Sequence, residues 1–443
     1  MKNIKNFLIC LLFLLSVFSV FAAPVNIADF LDKGKETAWT TSPAKFIKNN
    51  GSKYMYRWNS SQKKSLHYAA NRTRKSLYFS DWQITEADFN FENNQLNNIS
   101  LNIYNKSCPT NKQFAENKKT FLKFLEKIRL SINTLYKNKH SRISTELINS
   151  ARCYSCFWNP SSAYIILKWS YDGSNQNNFI AHYATVYIYR NKQTFNEISR
   201  SKVAVTNLSD LKSRIKTNKD GDRYLQVPMV DQGKRGYCVA ACAERILKYY
   251  NVNVDQHILA QAANTSNRGT DITEIESSMK KVGAKCNFRV KELSEYSPLI
   301  GNVNILKFIK KYNRYAKRAD KKEINISKVR GYRQLFRMMD EETLVKTKIK
   351  YGKNGFKKFK LKVKATIDTG MPVLWVVMLG MVKEPKRPQN MGGHMRLITG
   401  YNLKTDEIIY SDSWGKGHDF KKISWGKAWV MTQMAYVFIP KKN

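Results

Sequence analysis

Acidic residues are scarce in this chain. Across 443 residues, 34 Asp+Glu stand against 76 Lys+Arg, a formal net charge of +42. Such a surface attracts anionic material (nucleic acid, anionic cell-wall polymer, lipid headgroups) without selecting among them. Lys, Asn and Ile are abundant throughout and the lysines are spread over the whole chain, so the excess reads as compositional. The expectation is non-specific attraction to anionic surfaces and no specific nucleic-acid partner.

Long apolar runs are equally scarce. After residue 21 no segment reaches the roughly 18 uninterrupted apolar residues of a spanning helix, which predicts no membrane span in the mature chain. The one long run, Phe7 to Phe21, follows Lys2 and Lys5 and ends in "VFAA". It is short for a span and carries small residues suited to signal peptidase, with cleavage after Ala22 or Ala23. Cys10 lies too deep in the run to be a lipoprotein cysteine. Residues 1–23 therefore read as a signal peptide, and the mature protein as secreted or periplasmic.

Cysteine is the third scarcity. Once Cys10 is removed, Cys108, Cys153, Cys156, Cys238, Cys242 and Cys286 remain, too few for disulfides to replace a core. A free nucleophile among them would leave five, an odd number. "CYSC" at Cys153–Cys156 is a CxxC, but zinc needs four ligands and only Cys108 is an obvious third. A local disulfide between Cys153 and Cys156 is the favoured reading, with no metal and no cofactor expected.

What is present is a 42% hydrophobic chain, enough for two or three domains with real cores. Residues 24–205 read as an α+β domain of unassigned role. "NNISLNIYN" alternates Ile99, Leu101 and Ile103 as a half-buried strand, and "AYIILKWSY" and "IAHYATVYIYR" look like two more. Phe121, Phe124, Leu125, Ile128, Ile132 and Leu135 share one helical stripe. The polar stretch 206–223 reads as a linker. A second α+β domain fills 224–443. Within it, residues 305–365 hold 21 Lys+Arg against 5 Asp+Glu and read as a basic, solvated insertion. There, "KKFKLKVKA" alternates Phe359, Leu361 and Val363 with lysines, as an edge strand would. Pro372–Leu379 is a buried strand by its continuous apolar run.

The chemistry concentrates in three places. "VDQGKRGYC" runs into "VAACAERILKYY", where Val239, Cys242, Ile246 and Tyr249/Tyr250 recur at helical spacing. Cys238 then sits in the first turn, after Gly236, where the helix dipole favours a thiolate. Cys242, one turn on, reads as a core thiol. A thiolate needs a base, and the base an orienting partner. Of six histidines, only His394 in "MGGHMRLITGYN" heads an apolar strand beside glycines. In "EIIYSDSWGKG", Asp412 ends the next short strand, and the turn "NLKTDE" would bring the two strands together antiparallel. His418, flanked by glycines, reads as solvated, and His257 as structural.

In that combination and order, "DQGKRGYC", "GGHMRLITGYN" and "SDSWGKG" resemble the papain-like cysteine peptidase superfamily. The likeness is in particular to the bacteriocin-leader (double-glycine) processing peptidases and their stand-alone secreted relatives. It covers roughly Val227 to the C-terminus. It implies a papain-like domain in which a Cys-bearing helix packs on an antiparallel sheet bearing His and Asp; the smaller α+β domain read above from the residues precedes it. It also implies Cys238 as nucleophile, His394 as base, Asp412 as orienting acid and Gln232 as oxyanion donor, acting on a peptide or protein substrate. Two other readings stand beside it. One is a cell-wall amidase or transglutaminase-like acyl transferase using the same residues. The other is a non-catalytic secreted binding protein with a peptidase-like fold.

Overall fold

The structure is a computed structural model. It describes residues 24–441 except 34–37, 52–53, 60–62, 71–72, 74, 107, 109, 149–150, 174–178, 200–207, 233–235, 253–255, 257–258, 261–262, 264, 266–268, 271–273, 295–304 and 385–390. The expected signal peptide and His257 lie outside the described residues.

The N-terminal half is built on one antiparallel sheet. Its strands are β1 (Tyr56–Trp58), β2 (Ser65–Ala69), β3 (Glu86–Glu92), β4 (Gln95–Asn105), β5 (Ser144–Ile148), β6 (Ala151–Trp158), β7 (Tyr164–Asp172) and β8 (Ile180–Tyr189). Their spatial order is β1-β2-β3-β4-β8-β7-β6-β5. The alternation of Ile99, Leu101 and Ile103 buries all three. Helix α1 (Lys118–Tyr136) is started by Asn117, whose side chain accepts from the Thr120 N–H, and it buries Phe121, Phe124, Leu125, Ile128 and Ile132 in the same apolar cluster.

Cys153 and Cys156 both lie in β6, opposite Ser170 and Leu167 of β7. Three residues apart on an extended strand, their side chains leave opposite faces, so the disulfide expected between them is excluded by geometry. Cys156 packs in the apolar core instead.

The C-terminal half forms a second antiparallel sheet. Its strands are β9 (Ile215–Thr217), β10 (Asp222–Leu225), β11 (Phe288–Ser294), β12 (Val373–Leu379), β13 (Gly392–Asn402), β14 (Glu407–Ser411), β15 (Lys421–Ser424) and β16 (Thr432–Pro440). The order is β9-β10-β13-β12-β16-β11, with β14 on β13 and β15 on β14. The stretch expected as a linker is thus built into this sheet from residue 208 onward. It carries a short helix, Leu208–Ser213, then β9 and β10, whose Tyr224 pairs with Gly400. A side chain at 400 would press on the Arg223 carbonyl at 2.4 Å, which is why glycine interrupts the apolar strand there.

The helices are α2 (Cys238–Tyr249), α3 (Ile275–Lys285), α4 (Ile305–Arg318), α5 (Tyr332–Met338), α6 (Glu341–Tyr351), α7 (Lys353–Asp368) and α8 (Trp425–Met431). The basic region 305–365 is not a solvated insertion. Its helices put Phe308, Tyr312, Leu344, Phe359 and Val363 into the same core as Ile246 of α2, Trp375 of β12 and Trp429 of α8. "KKFKLKVKA" is helical rather than an edge strand, because Phe359, Val363 and Ile367 recur every four residues and bury one face of α7 while the lysines cover the rest. The two halves touch beside the C-terminal site loop, where the Lys416 N–H donates to the Trp58 carbonyl at 3.2 Å.

Candidate active site

The site is assembled by α2 and the β13–β14 hairpin. Cys238 is the first residue of α2, where the helix dipole favours a thiolate, and the Val239 backbone hydrogen-bonds to its thiol. Further along the helix, Cys242 is fully buried and its thiol donates to the Met395 carbonyl at 3.4 Å. That contact presses α2 onto β13 one residue past His394. Burial pushes the Cys242 thiol far above its usual range, as befits a packed core residue.

Strand register then dictates which side chains meet. Leu397 of β13 lies opposite Ser411 of β14, so the next step of the antiparallel ladder sets Arg396 opposite Asp412 and His394 diagonal to it. His394 and Arg396, two apart, share a face. The outcome is a His394 Nε2···Asp412 Oδ1 contact of 3.1 Å, with His394 nearly buried and Asp412 wholly so. The His394 ring also hydrogen-bonds to the Cys238 thiol, for which Nδ1 is the ring nitrogen left.

The charges follow from these contacts. Burial opposes a thiolate at Cys238, but the hydrogen bond and charge of His394, with backbone groups of Met395 and Val239, outweigh it and lower the thiol pKa. Burial likewise opposes an imidazolium at His394. Asp412 and Cys238 outweigh that opposition and raise its pKa to about 9. Asp412 is held well below the usual carboxylate range against its own burial, by Arg396 first and then by His394 and His418. Together these favour a thiolate–imidazolium pair at neutral pH.

Gln232 joins the same strand end. Its backbone N–H donates to the Ser413 carbonyl at 2.9 Å, and Ser413 Oγ donates to Gln232 Oε1 at 2.5 Å. With Oε1 held, the amide nitrogen is the donor end of the side chain. Adjacent residues Asp412 and Ser413 thus position His394 and Gln232 together. The preceding Asp231 packs so closely on Gly415 that a side chain at 415 would meet its carboxylate at 2.8 Å, and Gly415 takes a positive φ of +80°. Arg245, fully buried on α2, donates to the Asp412 carbonyl at 2.9 Å, to Ser411 Oγ at 2.5 Å and to the Pro228 carbonyl at 2.8 Å. It ties the helix bearing Cys238 to the strand end bearing Asp412.

The structure therefore brings Cys238, His394 and Asp412 together, with Gln232 anchored to Ser413 beside them. His418 is not solvated as its glycines suggested. It is buried, with Nδ1 2.9 Å from Lys421 Nζ and 4.0 Å from Asp412 Oδ2. Nothing in the sequence pattern marks Trp414, yet its ring stacks on His394 at 4.5 Å and 18°. Arg245, Arg396 and Lys421 were also missed. The signal for Arg396 was its place two residues from His394, a second polar residue on one face of an apolar strand. Among the described residues, no group of three or more His, Cys, Asp or Glu is arranged to hold a metal.

Two family models match the chain. Residues 226–328 match the Peptidase C39 family, and residues 302–435, running across the basic region, match the Peptidase C39-like family. These matches make the C-terminal half a papain-like cysteine peptidase. Within that class, residues 226–435 are similar to the Peptidase C39 family. Two solved structures are similar at low identity. The peptidase domain of Streptococcus ComA, a bi-functional ABC transporter involved in a quorum sensing pathway, is 12% identical, with a TM-score of 0.24, over 49% of this chain and 99% of that one. Xylellain, a cysteine protease from Xylella fastidiosa, is 12% identical, with a TM-score of 0.27, over 53% of this chain and 89% of that one. No curated protein matches the chain.

Proposed function

We propose that the chain is a secreted cysteine peptidase in which Cys238, His394 and Asp412 hydrolyse peptide bonds and Gln232 stabilises the oxyanion. The observation that carries this reading is the single imidazole of His394, hydrogen-bonded to the Cys238 thiol on one side and to Asp412 Oδ1 at 3.1 Å on the other. The Cys238 thiolate attacks the amide carbonyl, and the carbonyl oxygen takes the negative charge. The Gln232 amide nitrogen and the Cys238 backbone N–H donate to that oxygen, each such donor being worth about 10²–10³ in rate. His394 gives its proton to the leaving amine, leaving a thioester on Cys238. It then takes a proton from water, which attacks the thioester, releases the acid and restores the pair. Asp412 holds the imidazole in orientation throughout.

In the same reading, residues 1–23 are a signal peptide removed on export, residues 24–205 a separate N-terminal unit, and the peptidase unit occupies the remainder after about residue 206. Among the described residues no helix is long and apolar enough to cross a membrane. The test is labelling with an epoxide-type thiol-protease probe, peptide mapping of the adduct, and parallel digestion of casein and of peptidoglycan. The expected result is an adduct on Cys238 and cleavage of casein. Cleavage of peptidoglycan alone would make the enzyme an amidase, and an unlabelled Cys238 would refute the reading.

A further inference from the structure

Asp412 does not serve His394 alone. Arg396 Nε donates to the same Oδ1 at 2.6 Å, nearer than His394 at 3.1 Å, and the Arg396 and Asp412 side chains are both wholly buried. The other two guanidinium nitrogens fork onto Glu384, at 2.8 Å to Oε1 and 3.2 Å to Oε2. Glu384 is itself nearly buried and also accepts from the Tyr410 hydroxyl at 2.6 Å. The guanidinium lies over the Tyr410 ring, 4.8 Å from its centroid. An orienting carboxylate needs one acceptor oxygen for the imidazole, and nothing in the proposed chemistry calls for a buried arginine on that oxygen. Removing two charges from water is costly unless geometry and further hydrogen bonds compensate, and here every guanidinium nitrogen is engaged.

The arrangement is an alternating line of charges: Glu384, Arg396, Asp412, His394, Cys238. We infer that Arg396, held by Glu384, is a positioning residue for the peptidase reaction: it pins Asp412 Oδ1 on the His394 side of the carboxylate and keeps Asp412 ionised inside the protein. The inference rests on the triad proposed above. Other charged or titratable groups also face Asp412. On β15, Lys421 lies 3.3 Å from Oδ2, and on the preceding loop His418 lies 4.0 Å from it. On α2, Arg245 binds the Asp412 carbonyl and Cys242 lies beside the same segment. Of these, Arg396 alone shares Oδ1 with His394, so it alone sets where that oxygen sits relative to the imidazole.

The experiment measures kcat/KM against pH for the full chain and for Arg396→Gln, Arg396→Lys and Glu384→Gln. The rate of Cys238 alkylation by iodoacetamide is read over the same range, and each fold is checked by circular dichroism. Without the neighbouring cation, Asp412 protonates at higher pH. Losing the Asp412 charge weakens the His394 imidazolium that holds the Cys238 thiolate, so the acid limb of Arg396→Gln moves up by about one pH unit or more, a one-unit shift corresponding to a tenfold change in the protonation equilibrium. Activity recovers toward neutral pH. Arg396→Lys, which keeps the charge but loses the fork, moves the limb less. Adding Arg396→Gln to an Asp412→Asn protein leaves that protein's limb in place. If Arg396→Gln does not fold, Glu384→Gln and Arg396→Lys carry the same comparison. Folded Arg396 variants whose acid limb and alkylation profile superimpose on the parent would overturn the inference. They would leave the triad standing, because the parent's Cys238-dependent cleavage is measured in the same series.

Discussion

Trp414 lies face to face with His394, ring centroids 4.5 Å apart at 18°, and covers the face of the imidazole two residues beyond Asp412. An aromatic face in that position stabilises imidazolium over imidazole and shields the His394–Asp412 contact from water. Such an interaction is worth about 0.5–2 kcal/mol. Trp414→Ala should therefore lower kcat/KM by up to about 30-fold and move the alkaline limb of activity to lower pH. Trp414→Phe should restore part of both. Steady-state kinetics on a fluorogenic peptide across pH checks this.

The working pair sets the pH range. In the proposed mechanism, activity needs the Cys238 thiolate and the His394 imidazolium together. The first is present above the depressed pKa of Cys238 and the second below about 9. A bell-shaped kcat/KM profile should result, rising through an acid limb below the ordinary thiol range and falling through about pH 9. The alkylation rate of Cys238 should rise through the same acid limb, while Cys242, pushed far up by burial, stays unlabelled.

Gln232 and Ser413 should separate by magnitude. Gln232→Ala removes the proposed oxyanion donor and should reduce kcat by about 10²–10³ with little change in KM. Ser413→Ala removes only the hydroxyl that holds Oε1, one buried hydrogen bond worth about 0.5–1.5 kcal/mol, so about a tenfold loss at most is expected. Comparing kcat and KM for the two variants decides it.

Much of this site was legible because its signals are local. A cysteine opening an apolar-striped helix, and two strands joined by a short turn, require only short-range order. The turn starts the β13–β14 pairing, but a bulge between Ile398 and Gly400 shifts the register by one residue, and that shift is what carries Asp412 to the face of Arg396 and His394. What was missed depends on long-range contacts. His418 reads as solvated because glycines flank it, yet Lys421 and Asp412 draw this loop residue inward. Glu384 and Arg396 are 12 residues apart, and their pairing emerges only once β12 and β13 are adjacent. The misreading of "KKFKLKVKA" has a different cause: nine residues are too few to separate period two from a four-residue repeat. Ile367, beyond that window, decides for helix.

Phe359 is 1% exposed and packs against Trp425 and Trp429 at 6.0 and 5.5 Å between centroids. Phe359→Ala should destabilise the peptidase half by about 3–5 kcal/mol, read by urea unfolding. Leu361→Ala, 57% exposed on the same helix, should change stability by no more than about 0.5 kcal/mol. Were 305–365 a solvated insertion, the two variants would behave alike.

The most direct measurement compares cleavage of a peptide library by the full chain and by Cys238→Ala, with products identified by mass spectrometry and equal thermal stability of the two proteins verified. The parent should yield defined cleavage products, and Cys238→Ala should lose at least about 10³-fold in rate. A folded Cys238→Ala protein that cleaves the same bonds at the parent's rate would contradict the account.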